Sequence, residues 1–308
     1  MTTAFVFPGQ GSQSVGMLAD MATEYALVGE TFAEASQALG YDLWKVVANG
    51  PAETLNQTSV TQPAMLTAGI ALYRILQAAG KADVAFMAGH SLGEYTALTA
   101  AGVFSLADAV RLVRARGDYM QSAVSEGVGA MAAILGLTDE QVRSVCEQAA
   151  QGEVVSAVNF NSPGQVVIAG HKGAVERAMK LCQEAGAKRA LPLPVSVPSH
   201  CALMQPAADR LAQDLAQMSM QTPRVSVVNN VHVAVESDVK AIQAALLAQL
   251  YSPVRWVETV QFLKSQGVTR LVEVGPGKVL AGLNKRIDNE IEHFAVADLR
   301  TLSDYLAK

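Results

Sequence analysis

Gly89-His90-Ser91-Leu92-Gly93 follows the apolar run at residues 84–88 and precedes an Ala-rich stretch that reads as helix to about residue 101. A short apolar run bounded by glycine has the length of a buried strand, so the pentapeptide has to turn the chain from strand to helix within a few residues. Glycines on both sides of Ser91 permit so tight a turn without side-chain collision. The turn commits the chain to a sheet with helices packed on it. It also lifts the Ser91 hydroxyl to the sheet's edge beside a helix N-terminus, where first-turn N–H groups are free to hold an anion. G-x-S-x-G is short enough to arise by chance, with an incidental serine in a tight turn as the plain alternative. The strand before it and the helix after it are what favour a nucleophile.

The rest of the chain repeats this alternation. Residues 4–7 form a short apolar strand stopped by Pro8-Gly9-Gln10-Gly11. Gly9-Gln10-Gly11 opens like a dinucleotide fingerprint, but no glycine stands three residues after Gly11, so that reading is set aside. Helical patterns follow at 27–39, 63–79 and 106–124. At Gly127 and Gly129 the rhythm changes to strand 130–135, helix 139–149, strand 154–160, a turn at Asn161-Ser162-Pro163-Gly164, strand 165–169, helix 173–185 and strand 188–195. This βαββαβ order is that of a ferredoxin-like unit. Val142, Val145, Cys146 and Ala149, and likewise Val175, Ala178, Met179 and Cys182, give each helix one apolar stripe. Beyond Pro198-Ser199-His200 the order resumes with helix 204–218, strand 225–228, helices 239–250 and 257–266, and strand 270–274. The expected architecture is an α/β-hydrolase-like larger domain with a parallel sheet, residues 1–126 and 198–308, carrying an inserted ferredoxin-like domain, residues 127–197. A length of 308 residues suits two such units.

Composition narrows the function. Half the residues are hydrophobic and 17% are charged, enough for a sizeable core. A net charge of −5 without any run of Lys or Arg gives no footprint for nucleic acid. The mean hydropathy of +0.22 raises the question of a membrane. Every apolar stretch, however, is broken before the roughly 18 residues a spanning helix needs. The start of the chain has no basic segment ahead of its apolar residues, so cytoplasm is the expected location. Cys146, Cys182 and Cys201 form no CxxC and stand near no suitably spaced histidines, which argues against a metal site and a disulfide framework.

A serine nucleophile needs a base, and the five histidines are His90, His171, His200, His232 and His293. His90 adjoins Ser91 and should point away from it. His200 lies where the insert rejoins the larger domain, and position alone favours it without deciding the matter. Arg111, Arg114 and Arg116 share the helix after the elbow, and a solvated cationic face is their plain reading. Arg116, next to Gly117 in apolar surroundings, is the one suited to burial and to holding a carboxylate by a bidentate fork.

Taken in order, Phe7-Pro8-Gly9-Gln10-Gly11-Ser12-Gln13, Gly89-His90-Ser91-Leu92-Gly93-Glu94-Tyr95, Arg116-Gly117, Asn159-Phe160-Asn161-Ser162-Pro163-Gly164-Gln165 and Pro198-Ser199-His200 resemble the bacterial malonyl-CoA:acyl carrier protein transacylases over nearly the whole chain. The resemblance implies that Ser91 accepts the acyl group, that His200 is its base and that Arg116 clamps the malonyl carboxylate. It further implies that Gln10 and Leu92 offer backbone N–H groups to the oxyanion and that the Gln249 main-chain carbonyl orients His200. Asn161 would then lie near the site, and Asp108 and Asp118 would be surface residues rather than triad members. The implied partners are malonyl-CoA (or CoA) and acyl carrier protein, with no metal, no other cofactor and a monomeric chain serving fatty acid synthesis. Lys188, Arg189, Lys285 and Arg286 are candidate basic contacts for an acidic carrier, with a solvated surface as the plainer reading. Ser199 departs from the Phe often found before the histidine in malonyl-selective polyketide members. A freestanding polyketide acyltransferase, a serine esterase or thioesterase, and an inactive carrier-binding module are the alternatives.

Overall fold

The computed structural model describes residues 2–195 and 197–308. Its strands are β1 Thr3–Phe7, β2 Phe86–Gly89, β3 Gly129–Leu135, β4 Val155–Ser162, β5 Gln165–His171, β6 Arg189–Pro192, β7 Ser226–Val228, β8 Arg270–Val274 and β9 Glu292–Val296. They divide into a five-stranded sheet, order β7-β2-β1-β8-β9, with every pairing parallel, and a four-stranded sheet, order β4-β5-β3-β6, with every pairing antiparallel.

Parallel strands require crossovers that cover both faces of their sheet, so their central strands are apolar on both sides. In β1, Phe5 and Phe7 enter the core built on the helix Thr58–Ala78. The alternate residues Ala4 and Val6 enter the opposite core with Trp256, Val260 and Leu263. The small sheet packs its helices, Asp139–Ala150 and Lys172–Glu184, on one face through Val142, Cys146, Val175 and Cys182. Thr138 and Gln141 close a capping box at the first of these helices. On the other face Met131, Val158, Val167 and Ala169 pack with Cys201, the neighbour of His200. A parallel bridge of Asn159 to Val254 joins β4 to the segment after the helix Val239–Tyr251. Together these contacts set the small sheet beside the C-terminal end of β2.

Several elements differ from expectation. The helix at 63–79 begins at Thr58, with Pro63 inside it. Asn161 and Ser162 extend β4, leaving Pro163-Gly164 as the turn, because Ser162 still pairs with Gln165. The strand expected at 188–195 is only Arg189–Pro192, since Pro192 and Pro194 have no N–H to continue a ladder. The edge strand β9 and the helices Val279–Ile287 and Leu299–Leu306 complete the C-terminal part. Among the described residues, no helix is long and apolar enough to cross a membrane.

Glycine is obligatory at the strand-to-helix turn. A Cβ on Gly93 would lie 2.0 Å from the Phe7 carbonyl oxygen, and one on Gly89 1.9 Å from the Gly93 carbonyl carbon. Neither backbone can yield without displacing a central strand. Gly93→Ala is therefore expected to cost more than about 3 kcal/mol in denaturant unfolding. Gly282, helical and with nothing within 4 Å of a built Cβ, should instead gain up to about 1 kcal/mol as alanine. Equal effects at the two positions would contradict this account.

Candidate active site

The turn after β2 carries Ser91 at φ 52°, ψ −109°, immediately before the helix Leu92–Ala100. A serine in this region of backbone space is strained by about 1–3 kcal/mol, and such strain persists only where surrounding contacts over-determine it. The Leu92 N–H opens the helix and, like any first-turn amide, has no intrahelical acceptor. Gln10, in the turn following β1, is exposed. Its strand pairs in parallel with β2, Phe7 opposite Gly89, which brings the two turns to the same end of the sheet.

His200 meets Ser91 from the far side of the insert. Its backbone N–H donates to the Leu250 carbonyl, 3.0 Å away. Its Nδ1 lies 2.7 Å from the Gln249 main-chain oxygen and its Nε2 2.8 Å from Ser91 Oγ. A carbonyl can only accept, so Nδ1 carries the proton; Nε2 of the neutral ring is then an acceptor facing the Ser91 hydroxyl. His200 is 3% exposed. Burial, followed by the Arg116 charge and His90, pulls its pKa down to about 3 against the raising effect of the Gln249 carbonyl. A ring with so low a pKa stays neutral across the physiological range. The His200 ring C–H resonances are accordingly expected not to titrate between about pH 8 and pH 5, where an ordinary histidine passes through about 6.5. A titration midpoint near 6.5 would contradict this assignment.

Arg116 reaches the site because Gly117 lets two helices touch. The helix Leu106–Ser122 lies so close to Thr58–Ala78 that a Cβ on Gly117 would fall 2.8 Å from Ser59 Cα. The Arg116 side chain, 1% exposed, donates from Nη1 to Gln62 Oε1 at 2.9 Å and from Nη2 to Gln249 Oε1 at 2.9 Å and Ser91 Oγ at 3.3 Å. Its guanidinium lies 5.1 Å from the centre of the Tyr95 ring, and Nε has no partner among the described residues. Among the described residues no carboxylate pairs with it at salt-bridge distance; a buried cation without such a partner is suited to an anionic ligand. Arg111 and Arg114 instead donate to the Ala38 and Leu39 carbonyls on the exposed side of the helix. Asp118 is exposed and Asp108 caps its helix with Ser105, so neither is part of this cluster.

Asn161 touches the neighbour of Ser91 rather than Ser91 itself. His90 Nε2 donates to Asn161 Oδ1 at 2.8 Å, and the His90 ring packs near Trp256, 5.7 Å between centres. This contact carries the small sheet to the elbow. Among the other histidines, His171 Nδ1 accepts from Val154 N–H within the small sheet, and His293 Nε2 donates to the Asp288 carbonyl. Sequence reasoning missed Gln62, Glu94 and Asn230. Glu94, buried in the first turn after the elbow, accepts from the Asn230 N–H at 3.0 Å and from Gln249 Nε2 at 2.7 Å. Burial pushes its carboxyl up to about 7 against these hydrogen bonds and the Arg116 charge.

Beside this geometry, a hydroxyl hydrogen-bonded to a neutral imidazole next to a buried cation, stand the chain's likenesses to known proteins. The model of the acyl transferase domain matches residues 4–299. The malonyl CoA-acyl carrier protein transacylase of Escherichia coli (strain K12) is 66% identical over 284 residues, 92% of each chain. The chain belongs to the family of malonyl CoA-acyl carrier protein transacylases. A solved acyl carrier protein S-malonyltransferase from Vibrio cholerae is similar at 60% identity and a TM-score of 0.97, over 99% of this chain and 100% of that one. A malonyl-transacylase solved in complex with its type II PKS acyl-carrier protein is 57% identical with a TM-score of 0.99, over 100% of this chain and 99% of that one. A transacylase has to hold an acyl group covalently between two thiols, and a serine with a neutral neighbouring base can do so. Among the described residues, no group of three or more His, Cys, Asp or Glu is arranged to hold a metal.

Proposed function

We propose that this chain moves the malonyl group from malonyl-CoA to the phosphopantetheine thiol of an acyl carrier protein through an ester on Ser91. The observation that carries the reading is Arg116, a buried guanidinium with Nη2 3.3 Å from Ser91 Oγ. An acyl group ending in a carboxylate is the substrate that satisfies such a cation. An esterase for neutral acyl groups has no use for it.

In the first half-reaction His200 Nε2 takes the Ser91 proton as Oγ attacks the thioester carbon. The Gln10 and Leu92 N–H groups hold the resulting oxyanion. Collapse expels the CoA sulfur, which receives the proton from His200, and leaves malonyl-Ser91. In the second half-reaction the carrier thiol gives its proton to His200 and attacks the ester. Ser91 leaves and regains that proton. Gln249 orients His200 through its main-chain oxygen, and Asn161 holds His90 at the rim. Every group in this scheme comes from one chain, so it calls for no metal, no other cofactor and no second subunit.

The strand orders support the finer architectural reading: an α/β-hydrolase-like part, residues 1–126 and 198–308, and a ferredoxin-like insert, 127–197, forming one wall over Ser91. Fatty acid synthesis in the cytoplasm is the setting this reading takes; the relatives' names give malonyl transfer to an acyl carrier protein, a reaction that would supply such synthesis. The likeness to the type II PKS transacylase supports a second reading, in which the carrier belongs to a polyketide synthase. Mixing the protein with malonyl-CoA tests the proposal. Intact-mass measurement should show one malonyl adduct that discharges onto phosphopantetheinylated carrier protein faster than into water. Release of free malonate at the same rate with and without carrier would point to a thioesterase, and absence of any adduct to a binding module.

A further inference from the structure

Asn230 stands two residues beyond the end of β7, the neighbour of β2 in the parallel sheet. Its side chain therefore reaches the C-terminal end of the strand that leads into the elbow. Oδ1 accepts the Ser91 backbone N–H at 2.8 Å, and Nδ2 donates to the Gly89 carbonyl at 2.7 Å. One carboxamide thus spans the turn on both sides of His90. The Ser91 carbonyl is held in the same way, accepting from Gln249 Nε2 at 3.0 Å. Glu94 ties the two holders together, since its Oε2 accepts both the Asn230 backbone N–H and Gln249 Nε2. Asn230 is fully buried, and besides the Ser91 N–H and the Gly89 carbonyl its carboxamide meets Gln249 Nε2, which lies 3.5 Å from Oδ1.

We propose that Asn230 is a positioning residue for the nucleophile: its carboxamide bridges Gly89 and Ser91 and fixes the positive-φ conformation from which Ser91 Oγ meets His200. The proposal rests on Ser91 being the nucleophile. It also accounts for which amides remain available to an oxyanion. With its own N–H engaged by Asn230, Ser91 contributes none, and the task falls to the N–H groups of Leu92 and Gln10. Without the bridge, Ser91 is free to relax toward an ordinary backbone conformation and carry its hydroxyl away from His200. Displacement of a reacting atom by about 1 Å costs on the order of 100-fold in rate.

Asn230→Ala is expected to lower the rate of Ser91 malonylation about 100-fold. KM for malonyl-CoA should change far less than the rate, because Asn230 reaches Arg116 only through Gln249, whose Oε1 still accepts from Arg116 and whose Nε2 keeps the Ser91 carbonyl and Glu94 when the 3.5 Å contact with Asn230 Oδ1 is lost. Asn230→Asp supplies a readout that a merely structural role would not move. Its charged carboxylate would face the Gly89 carbonyl and the Glu94 carboxyl, with Arg116 and His200 beyond Gln249 and Ser91, and the Arg255 guanidinium at the neighbouring Val231 carbonyl already paired with Glu258. Once protonated, it reproduces both bonds, its O–H donating to Gly89 and its other oxygen accepting from Ser91. The ratio of Asp to Ala variant rates should therefore climb about tenfold per pH unit as pH falls, until that carboxyl is protonated. The Ala variant retains Glu94 and so carries any effect of Glu94's own titration.

A folded Asn230→Ala protein with the wild-type rate, a loss confined to KM, or an Asp-to-Ala ratio independent of pH would each overturn the proposal. If the Ala variant does not fold, the Asp variant's rate relative to wild type across the same pH range carries the test. A Ser91→Ala sample run alongside separates the two layers. An adduct on that sample would remove Ser91 as nucleophile, whereas no adduct there together with a wild-type rate for Asn230→Ala would remove only the role of Asn230.

Discussion

Ser91→Ala is expected to give a folded protein that forms no covalent acyl-enzyme with malonyl-CoA. No other hydroxyl among the described residues lies within hydrogen-bond distance of a His200 nitrogen. The fold should survive because the backbone contacts that hold the turn, Ser91 N–H to Asn230 and the Ser91 carbonyl to Gln249, do not involve the hydroxyl. Alanine carries the same Cβ into the same positive φ and so inherits the strain that serine already bears; only the hydroxyl's bonds to His200 and Arg116 are lost, and a stability change within about 1 kcal/mol is expected. His200→Ala should differ in kind. It leaves the hydroxyl but removes its proton acceptor, slowing acylation by roughly two to four orders of magnitude. Intact-mass time courses on the two variants check both statements. A malonyl adduct on Ser91→Ala would remove the elbow from the mechanism, and an unchanged rate in His200→Ala would give the base role to another group.

The amino-acid sequence disclosed what is local and left dark what is assembled across distance. The elbow was legible because strand, turn and helix lie within about a dozen consecutive residues and the tight turn demands glycine. The order of strands and helices in the insert was legible for the same reason, through two helical stripes. The edge strand β9 was not, because Glu292-His293-Phe294-Ala295-Val296 is only half-buried and has no continuous apolar face to announce it. Gln62 lies 54 residues from Arg116 and Asn230 lies 139 from Ser91. No spacing rule reaches that far. Faint signals did exist: Gln62 sits within the apolar stretch of its helix, whereas the helix's other amide, Gln77, lies at the exposed C-terminal end, and Glu94 is an acid set against an apolar helix. Asn230 stands just past the C-terminal end of a parallel strand, where α/β folds gather their sites.

The role of Gln249 shows how backbone and side chain of one residue can serve two partners. Its carbonyl fixes the His200 tautomer, while its Oε1 accepts from Arg116 and its Nε2 reaches Ser91 and Glu94. The His200 ring, the Arg116 guanidinium and the Ser91 turn are therefore set relative to one another by a single buried residue. A change at Arg116 has to be read against that shared support.

Arg116→Ala is expected to invert acyl preference. The variant removes the cation beside Ser91 Oγ, while the Gln249 carbonyl still holds His200 and the turn keeps its Asn230 bridge. A charge-assisted hydrogen bond of this kind contributes about 1.5–3 kcal/mol, and each 1.4 kcal/mol is about tenfold. Malonyl transfer should therefore fall by one to two orders of magnitude or more, the larger figure applying if both guanidinium nitrogens engage the carboxylate. Acetyl transfer should fall less or rise, because a neutral acyl group no longer leaves a buried cation unpaired. The lost charge also acts on the base. Arg116 is among the groups that lower the His200 pKa, so its removal should raise that pKa and move the acid limb of acetyl transfer to higher pH. Opposing these effects, Gln62 Oε1 and Gln249 Oε1 lose their donor, which should lower the melting temperature. That destabilisation acts on both substrates alike, whereas the carboxylate contact acts on one. Measuring malonyl transfer, acetyl transfer and the melting temperature on the same variant separates them: parallel loss of both activities would make Arg116 a structural residue and leave the site without its reason to choose a dicarboxylate-derived acyl group.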